Sequence, residues 1–444
     1  MSIKRDCSWI VTLALLLAGS ALAQTPVGPE FQVNSYTTEL QTSTRVAHFS
    51  DGGFVVVWAS AGSSGSDSSG FSVLGQLYDG SGAAQGAEFQ INSFTPGDQY
   101  YPSVAADGAD DFVVAWDSLG SPGSDSSGYS IQAQRFDRGA SPLGAQFQVN
   151  SYTNDGQYRP DVAADADGSF VVIWTSVGSD EGDNSGESVH AQLYDAGGVP
   201  AGSQFQVNST TGGCQRFPAV ALDGSSQFVI TWESDSSAGS DSDGVSIQGQ
   251  RYDDGGLPLG VEFQVNSYTT DDQERPAIAA DGAGDFVITW QSDGSYGPDT
   301  SNRSVLAQAF DNLGNASGGE LSVNAYTTLV QDMPAIAAEG SGNFVVTWTS
   351  QGSYGSDANG RSIQGRRVSA SGVTRGPQFQ VNSFTTGNQD LSAVAFGEGG
   401  SFVVVWRSPG VDPDDAILAQ RLTTALFADG FESGDTDSWS MTVE

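Results

Sequence analysis

Tryptophan recurs at a fixed spacing through most of this chain. Seven of its nine tryptophans lie 58 residues apart, with no residue gained or lost between the first and the last: Trp58, Trp116, Trp174, Trp232, Trp290, Trp348 and Trp406. Phe54, Gln41 and Asn34 begin series of Phe, Gln and Asn with the same period. A period of this length indicates seven copies of one supersecondary unit. Each copy must pack on its neighbours, because one unit cannot bury its apolar face alone.

Each copy has the pattern of four short strands. In the third copy these are predicted at 160–164, 170–174, 189–194 and 205–208, each bounded by Gly, Pro, Asp or Asn. The second segment, FVVIW, is apolar at every position, so both of its faces must be covered. Seven four-stranded units buried on both faces predict an all-β fold, a seven-bladed β-propeller.

The phase of the repeat predicts how the ring closes. The small residues of 160–164 suit the crowded strand nearest the axis, which makes the FQVN segment the outermost strand. The chain then begins with an outermost strand at 31–35 and ends with the third strand of the last blade at 417–422. Pairing of these two segments would close the ring and remove its free edges. The long loops, after each Trp and between blades, share one face, where binding residues are usually found.

The two ends of the chain differ from the repeats. Lys4 and Arg5, an apolar run at 9–17 and Ala21-Leu22-Ala23 predict a secretory signal peptide over 1–23. The propeller is expected over 24–425 and a short C-terminal tail over 426–444. No segment approaches the roughly 20 apolar residues of a transmembrane helix, so the protein is expected to be secreted without inserting into a membrane.

The composition restricts the partners. The net charge is −37, from 53 acidic and 16 basic residues. Such a charge repels nucleic acid and anionic membranes, and it favours bound cations. We therefore expect an acidic, soluble monomer that does not bind nucleic acid.

The repeats resemble a known type. Segments such as GVSIQGQRYD, EFQVNSYTT and DQERPAIAADGAGDFVITWQSDGS are similar to repeats of large secreted bacterial proteins of the haemolysin-type calcium-binding and adhesin class. The resemblance covers roughly residues 30–422 and implies a propeller-like extracellular domain, exported across the bacterial inner membrane. The final segment FADGFESGDTDSWS resembles a C-terminal tail of secreted bacterial proteins.

One acidic residue recurs in the loop after the Trp, among Ser and Gly. It could accept hydrogen bonds from loop N–H groups and so hold a tight turn. It could instead bind calcium, which takes carboxylate, hydroxyl and carbonyl oxygens. The candidate metal ligands are Asp67, Asp125, Asp183, Asp241, Asp243, Asp299 and Asp357.

The two residues after each repeated Gln vary, and they lie where the innermost strand starts, near the central opening. The candidate ligand-binding residues are Tyr100, Tyr101, Tyr158, Arg159, Arg216, Phe217, Glu274 and Arg275. Aromatic faces stack on sugar rings, and Arg grips carboxylate or sulfate through two hydrogen bonds. The alternative is structural, with these Arg neutralising nearby Asp and Glu.

Three functions follow from these patterns. The first is a secreted binding or adhesion module whose long loops bind carbohydrate, a cell-surface polymer or a protein. The second is a glycan-cleaving enzyme, sialidase-like or a lyase, with an Arg and Tyr funnel; no catalytic residue is assigned. The third is a structural scaffold without a small ligand. A convergent acid and base in the funnel would favour catalysis, and Arg residues all paired with carboxylates would favour the scaffold.

Overall fold

The computed structural model describes residues 24–424, except 64, 180, 181, 184, 295–298, 300, 301, 341, 358, 359 and 412–414. The predicted signal peptide (1–23) and C-terminal tail (426–444) lie outside the described residues. Within the described part, the chain forms seven antiparallel sheets, one for each repeat. The fold is a seven-bladed β-propeller, as the sequence predicts. None of the helical segments in this part has the length and apolar character needed to cross a membrane.

The strands follow one another blade by blade. The chain begins with β1 (Thr25–Pro26) and β2 (Phe31–Gln32). Blades one to three contain β3 (Gln41–His48), β4 (Phe54–Ala61), β5 (Phe71–Tyr78), β6 (Ala84–Gln90), β7 (Gln99–Ala106), β8 (Phe112–Leu119), β9 (Tyr129–Phe136), β10 (Phe147–Gln148), β11 (Gln157–Ala164), β12 (Phe170–Val177), β13 (Glu187–Tyr194) and β14 (Phe205–Gln206). Blades four to six contain β15 (Gln215–Leu222), β16 (Phe228–Ser234), β17 (Ser246–Tyr252), β18 (Phe263–Gln264), β19 (Gln273–Ala280), β20 (Phe286–Asp293), β21 (Arg303–Phe310), β22 (Ala316–Ser322), β23 (Gln331–Glu339), β24 (Asn343–Gln351), β25 (Arg361–Ser369) and β26 (Thr374–Gln380). The last blade contains β27 (Asp390–Phe396), a short 3-10 helix (Glu398–Gly400), β28 (Ser401–Pro409) and β29 (Asp415–Thr423).

The inner strands are longer than the sequence pattern predicts, and the outer ones have either two or seven residues. In the third blade β11 begins at Gln157 instead of 160, because Gln157 pairs with Ser176 before a β-bulge interrupts the ladder. The outermost strand β14 has two residues. Proline at the start of this segment, as in Pro200, leaves only an isolated bridge to Tyr194. Where the equivalent residue is Ala84, the outer strand β6 runs for seven residues. The lack of an N–H donor in Pro explains the difference.

The ring closes through the N-terminal strand, as predicted. Phe31 of β2 pairs with Ala419 of β29. The structure adds a contact that the sequence did not predict, since Thr25 of β1 pairs with Thr423 of the same strand. The Glu30 carboxylate also accepts a hydrogen bond from the Ser383 N–H at 2.6 Å. Elsewhere in the ring, Glu88 makes the same contact with Ser35 at 2.9 Å.

The core consists of seven apolar clusters between adjacent blades, and each contains one repeated Trp with no exposed surface. Burial of seven indoles supplies much of the hydrophobic stabilisation, because each aromatic side chain removes a large apolar area from water. The Trp58 indole donates to the Gln41 side chain at 3.0 Å, and the same contact recurs at Trp174, Trp290 and Trp348. In the other three blades the Gln accepts instead from a repeated Asn, as Gln99 does from Asn92 at 2.9 Å. The repeated Gln is thereby fixed in the core, next to the two variable residues that follow it.

Candidate functional site

The second residue after each repeated Gln has a left-handed backbone in all seven blades. These residues, called the mouth ring below, are Ser43 (φ 55°), Tyr101 (46°), Arg159 (53°), Phe217 (53°), Arg275 (55°), Met333 (55°) and Leu391 (58°). A non-glycine residue in this conformation costs on the order of 1–3 kcal/mol and often marks a functional position. Each lies within the β-bulge of an innermost strand, as between Tyr158 and Asp161. The mouth ring therefore surrounds the central opening on the long-loop face.

Four consecutive mouth-ring residues form a continuous stack of arginines and aromatic rings. The guanidinium carbon of Arg159 lies 4.4 Å from the centre of the Tyr101 ring and 4.1 Å from that of Phe217. The guanidinium carbon of Arg275 lies 3.6 Å from the centre of the same Phe217 ring. Arg159 also donates to the Tyr101 hydroxyl at 3.3 Å. Cation–π contacts of this kind each contribute about 0.5–2 kcal/mol. We call Tyr101, Arg159, Phe217 and Arg275 the arginine–aromatic stack.

The preceding blade holds the backbone of the two stacked arginines. The Arg159 N–H donates to the Asp117 carboxylate at 3.2 Å, and the Arg275 N–H donates to the Glu233 carboxylate at 3.0 Å. Both acceptors immediately follow a repeated Trp. Asp117 and Glu233 are thus site residues that the sequence reasoning missed. The available signal was that the residue after each Trp varies between copies, as the residues after each Gln do.

The arginines of the predicted site differ in their ion pairs. Arg216 pairs with Glu233 at 2.7 Å and with Asp235 at 3.1 Å, so the structural interpretation holds for it. Within the described residues, Arg159 and Arg275 form no ion pair with a carboxylate. Burial, together with the positive charge of Arg159, lowers the pKa of Arg275 from its ordinary value. Two guanidinium groups without an ion pair in the described residues therefore share one aromatic ring in a strongly acidic protein.

The first residue of each predicted pair packs beside the mouth ring, and the Tyr100 ring contacts the Tyr101 ring of the stack edge-on at 4.4 Å. The Tyr100 ring contacts Phe71 edge-on at 4.7 Å, and the Tyr158 ring lies 5.4 Å from that of Tyr129. Glu274 pairs with Arg303 at 3.2 Å. The structure thus brings Tyr101, Arg159, Phe217 and Arg275 together, while Tyr100, Tyr158, Arg216 and Glu274 form the surrounding layer.

Asp117 is a buried carboxyl group below Arg159. Its side chain is 2% exposed, and burial raises its pKa from 3.8 to about 7. The hydrogen bond from the Arg159 N–H and the positive charge of Arg159 act in the opposite direction. The second carboxylate oxygen, Oδ1, has no hydrogen-bond partner within the described residues. Since desolvation disfavours the charged form, a group in this position changes protonation near neutral pH.

The recurring Asp of the Trp loops belongs to a hydrogen-bond network that includes the repeated Asn. One oxygen of Asp67 accepts from the Ser69 N–H at 3.0 Å and the other from the Asn92 amide at 2.8 Å. The Asn-to-Asp contact recurs at 2.7–3.1 Å for Asp125, Asp183, Asp241, Asp299 and Asp357. These carboxylates hold their loops, as the structural interpretation predicts. Asp243 differs because it is exposed and lines an acidic cleft of about 490 Å³ with Asp271, Asp272 and Asp293.

No metal site is evident in the described part of the chain, where no three His, Cys, Asp or Glu side chains group so as to hold an ion. Calcium binding stays a prediction from the sequence.

A solved structure has a similar fold, at low identity. No protein-family model and no curated protein matches the chain. A protein of unknown function from Dyadobacter fermentans superposes with a TM-score of 0.51 and 10% identity, over 90% of this chain and 99% of that one. The polysaccharide lyase Uly1 gives 0.49 and 11%, over 85% and 90%. The NanB sialidase from Streptococcus pneumoniae gives 0.46 and 9%, over 90% and 71%. At these identities the likeness concerns the fold alone.

Proposed function

We propose that this protein is a secreted binding module that holds an acidic carbohydrate or another anionic surface polymer at its mouth ring. The observation that supports the proposal is the arginine–aromatic stack. The guanidinium groups of Arg159 and Arg275 form no ion pair within the described residues, although the chain carries a net charge of −37. A carboxylate or sulfate of a ligand would supply the missing charge through paired hydrogen bonds.

The contacts favour recognition of an acidic group over stacking of a neutral sugar. Both guanidinium groups lie over Phe217, and Arg159 also lies over Tyr101. The rings therefore hold the arginines in place, which reduces the entropy that each side chain loses on binding. The scaffold alternative predicts arginines paired with carboxylates, and Arg159 and Arg275 depart from that pattern.

Binding to a panel of acidic and neutral polymers tests the proposal. The panel contains polygalacturonate, heparin and chondroitin sulfate on one side, and starch and galactan on the other. We expect binding to at least one acidic polymer and none to the neutral ones. The double variant Arg159→Ala/Arg275→Ala should lose at least about 100-fold in affinity, since each hydrogen-bonded charge contributes roughly 1.5–3 kcal/mol. Arg375→Ala, at an exposed position of the outer strand β26, is the matched control and should bind normally. Equal binding by the double variant would contradict the proposal.

One observation favours glycan cleavage as a second candidate. Burial raises the pKa of Asp117 to about 7, and its carboxyl group lies next to an arginine that can hold an acidic sugar. A buried carboxyl of this kind is suited to act as a general acid. Reducing-end release from any polymer bound in the panel tests the candidate. Cleavage that Asp117→Asn abolishes would support it, and a bound polymer that stays intact would exclude it.

A further inference from the structure

Asp117 differs from the other buried carboxylates around the mouth ring. Glu233 pairs with Arg216 at 2.7 Å. Asp390 receives two hydrogen bonds from Arg407, at 2.8 and 2.9 Å. Asp332 has Arg361 at 3.7 Å. Within the described residues, Asp117 has no ion pair; its carboxylate accepts a hydrogen bond from the Arg159 N–H, and its Oδ1 atom has no partner. An uncompensated buried charge is costly, so this carboxylate depends on whatever charge lies near it.

The charged and titratable groups that face Asp117 come from three directions. Arg159, on the inner strand of the next blade, is the positive one. Asp98, in the connection before β7, is negative and acts against ionisation of Asp117. Tyr129 on β9 and Tyr158 on β11 remain neutral around pH 7, because burial raises the pKa of each above its ordinary value of 10. The backbone hydrogen bond from Arg159 favours an ionised Asp117 most, and among these charged groups Arg159 alone adds charge compensation.

An anion bound to Arg159 removes that compensation. Its negative charge lies against the same guanidinium group and repels the Asp117 carboxylate through a poorly polarisable interior. Protonation of Asp117, with one proton taken from the solvent, relieves the repulsion. The coupling is reciprocal. If the bound anion raises the affinity of Asp117 for a proton by some factor, protonation of Asp117 raises the affinity for the anion by the same factor.

We propose that Asp117 couples anion binding at Arg159 to the uptake of one proton, so that the mouth ring holds its ligand more tightly as the pH falls below neutral. Asp117 is a positioning residue in this scheme, since it acts on the ligand through Arg159. The inference rests on the proposed function in one respect, namely that Arg159 contacts the acidic group. It adds that the affinity is regulated by pH and names the group responsible.

Titration with inorganic sulfate tests the coupling independently of any polymer. Sulfate keeps its double charge across the range from about pH 5.5 to about pH 8.5, so a pH dependence must come from the protein. Binding is followed by NMR at the Nε–H signals of Arg159 and Arg275, assigned with Arg159→Lys and Arg275→Lys. We expect the wild-type protein to bind sulfate about tenfold more tightly at the lower pH, the change that one pKa unit of coupling produces. Asp117→Asn should bind with nearly the same affinity at both pH values.

A control variant outside the mouth ring separates this coupling from a general effect of pH on the protein. Asp79→Asn removes a carboxylate from the turn after β5, and it should retain the wild-type affinity and dependence on pH. Sulfate that binds the wild-type protein equally at both pH values, or not at all, overturns the inference. A pH dependence that survives in Asp117→Asn overturns it as well. None of these results bears on the polymer panel, where the proposed function fails only if no acidic polymer binds or the arginine variants bind normally.

Discussion

The burial of Asp117 has a measurable effect on stability. Folding raises its pKa from 3.8 to about 7, so the folded state favours the protonated form and the unfolded state the ionised form. Stability is therefore lost as the pH rises from about 4 through about 7. One pKa unit corresponds to about 1.4 kcal/mol, so the loss from Asp117 between about pH 5 and about pH 8.5 is on the order of 3 kcal/mol. Asparagine has the same shape without the ionisation and should escape this loss.

Differential scanning calorimetry of the wild type and Asp117→Asn at the two pH values measures the effect. The difference in melting temperature, variant minus wild type, should increase by about 3 °C between the lower and the higher pH, given the unfolding entropy of a chain of this size. The destabilisation from burying the Asn amide does not depend on pH. It therefore cancels when the difference in melting temperature at the lower pH is subtracted from the difference at the higher pH. Asp79→Asn is the control, because the pKa of Asp79 is lowered by its hydrogen bond with the Ser81 hydroxyl and the group stays ionised across this range. A difference for Asp117→Asn that stays constant with pH would refute the reasoning.

Two further predictions concern the scaffold. Deletion of 24–35 removes β1, β2 and the contact of Glu30 with Ser383, and it leaves β29 with an unpaired edge. We expect the melting temperature of the whole ring to fall by about 5 °C. An unchanged calorimetric transition would show that closure does not depend on these strands. Asn150→Ala removes hydrogen bonds with Asp125, Ile131 and Tyr152 inside the core, at a cost of about 3 kcal/mol measured by denaturant unfolding. The exposed Asn315→Ala should cost much less, and equal losses in the two variants would contradict a special role for the buried network.

The sequence predicts the fold well because a strict period leaves few arrangements for seven identical units. The apolar FVVIW segment required cover on both faces, and the phase of the first strand at Phe31 specified how the ring closes. Both features follow from local pattern alone. The two-residue outer strands were overestimated, since the effect of a Pro such as Pro200 depends on the partner strand it faces.

The site was only partly predictable, for a different physical reason. The left-handed backbone at Arg159 carries no glycine signature, so nothing in the sequence indicates the bulge that brings Arg159 against Phe217. The contact of Asp117 with Arg159 spans 42 residues and joins two blades. All repeated residues have the same period, so the period does not indicate which repeated side chains are in contact with each other. The recurring Asp could therefore be interpreted either as a metal ligand or as a partner for Asn.

The mouth ring gives this protein a surface whose side chains can be changed one position at a time. Its seven residues share one backbone conformation and follow one another around the axis. Below them, the Trp-to-Gln hydrogen bond recurs in four blades and the Asn-to-Asp hydrogen bond recurs six times. A substitution at Ser43, Met333 or Leu391 therefore changes one chemical group at a known angular position without altering the blade below it. The mouth ring thus presents seven variable side chains on a backbone of constant conformation. Related propellers could change their ligand by substitutions at these seven positions. Combinatorial libraries confined to these positions would sample new specificities on an unchanged scaffold.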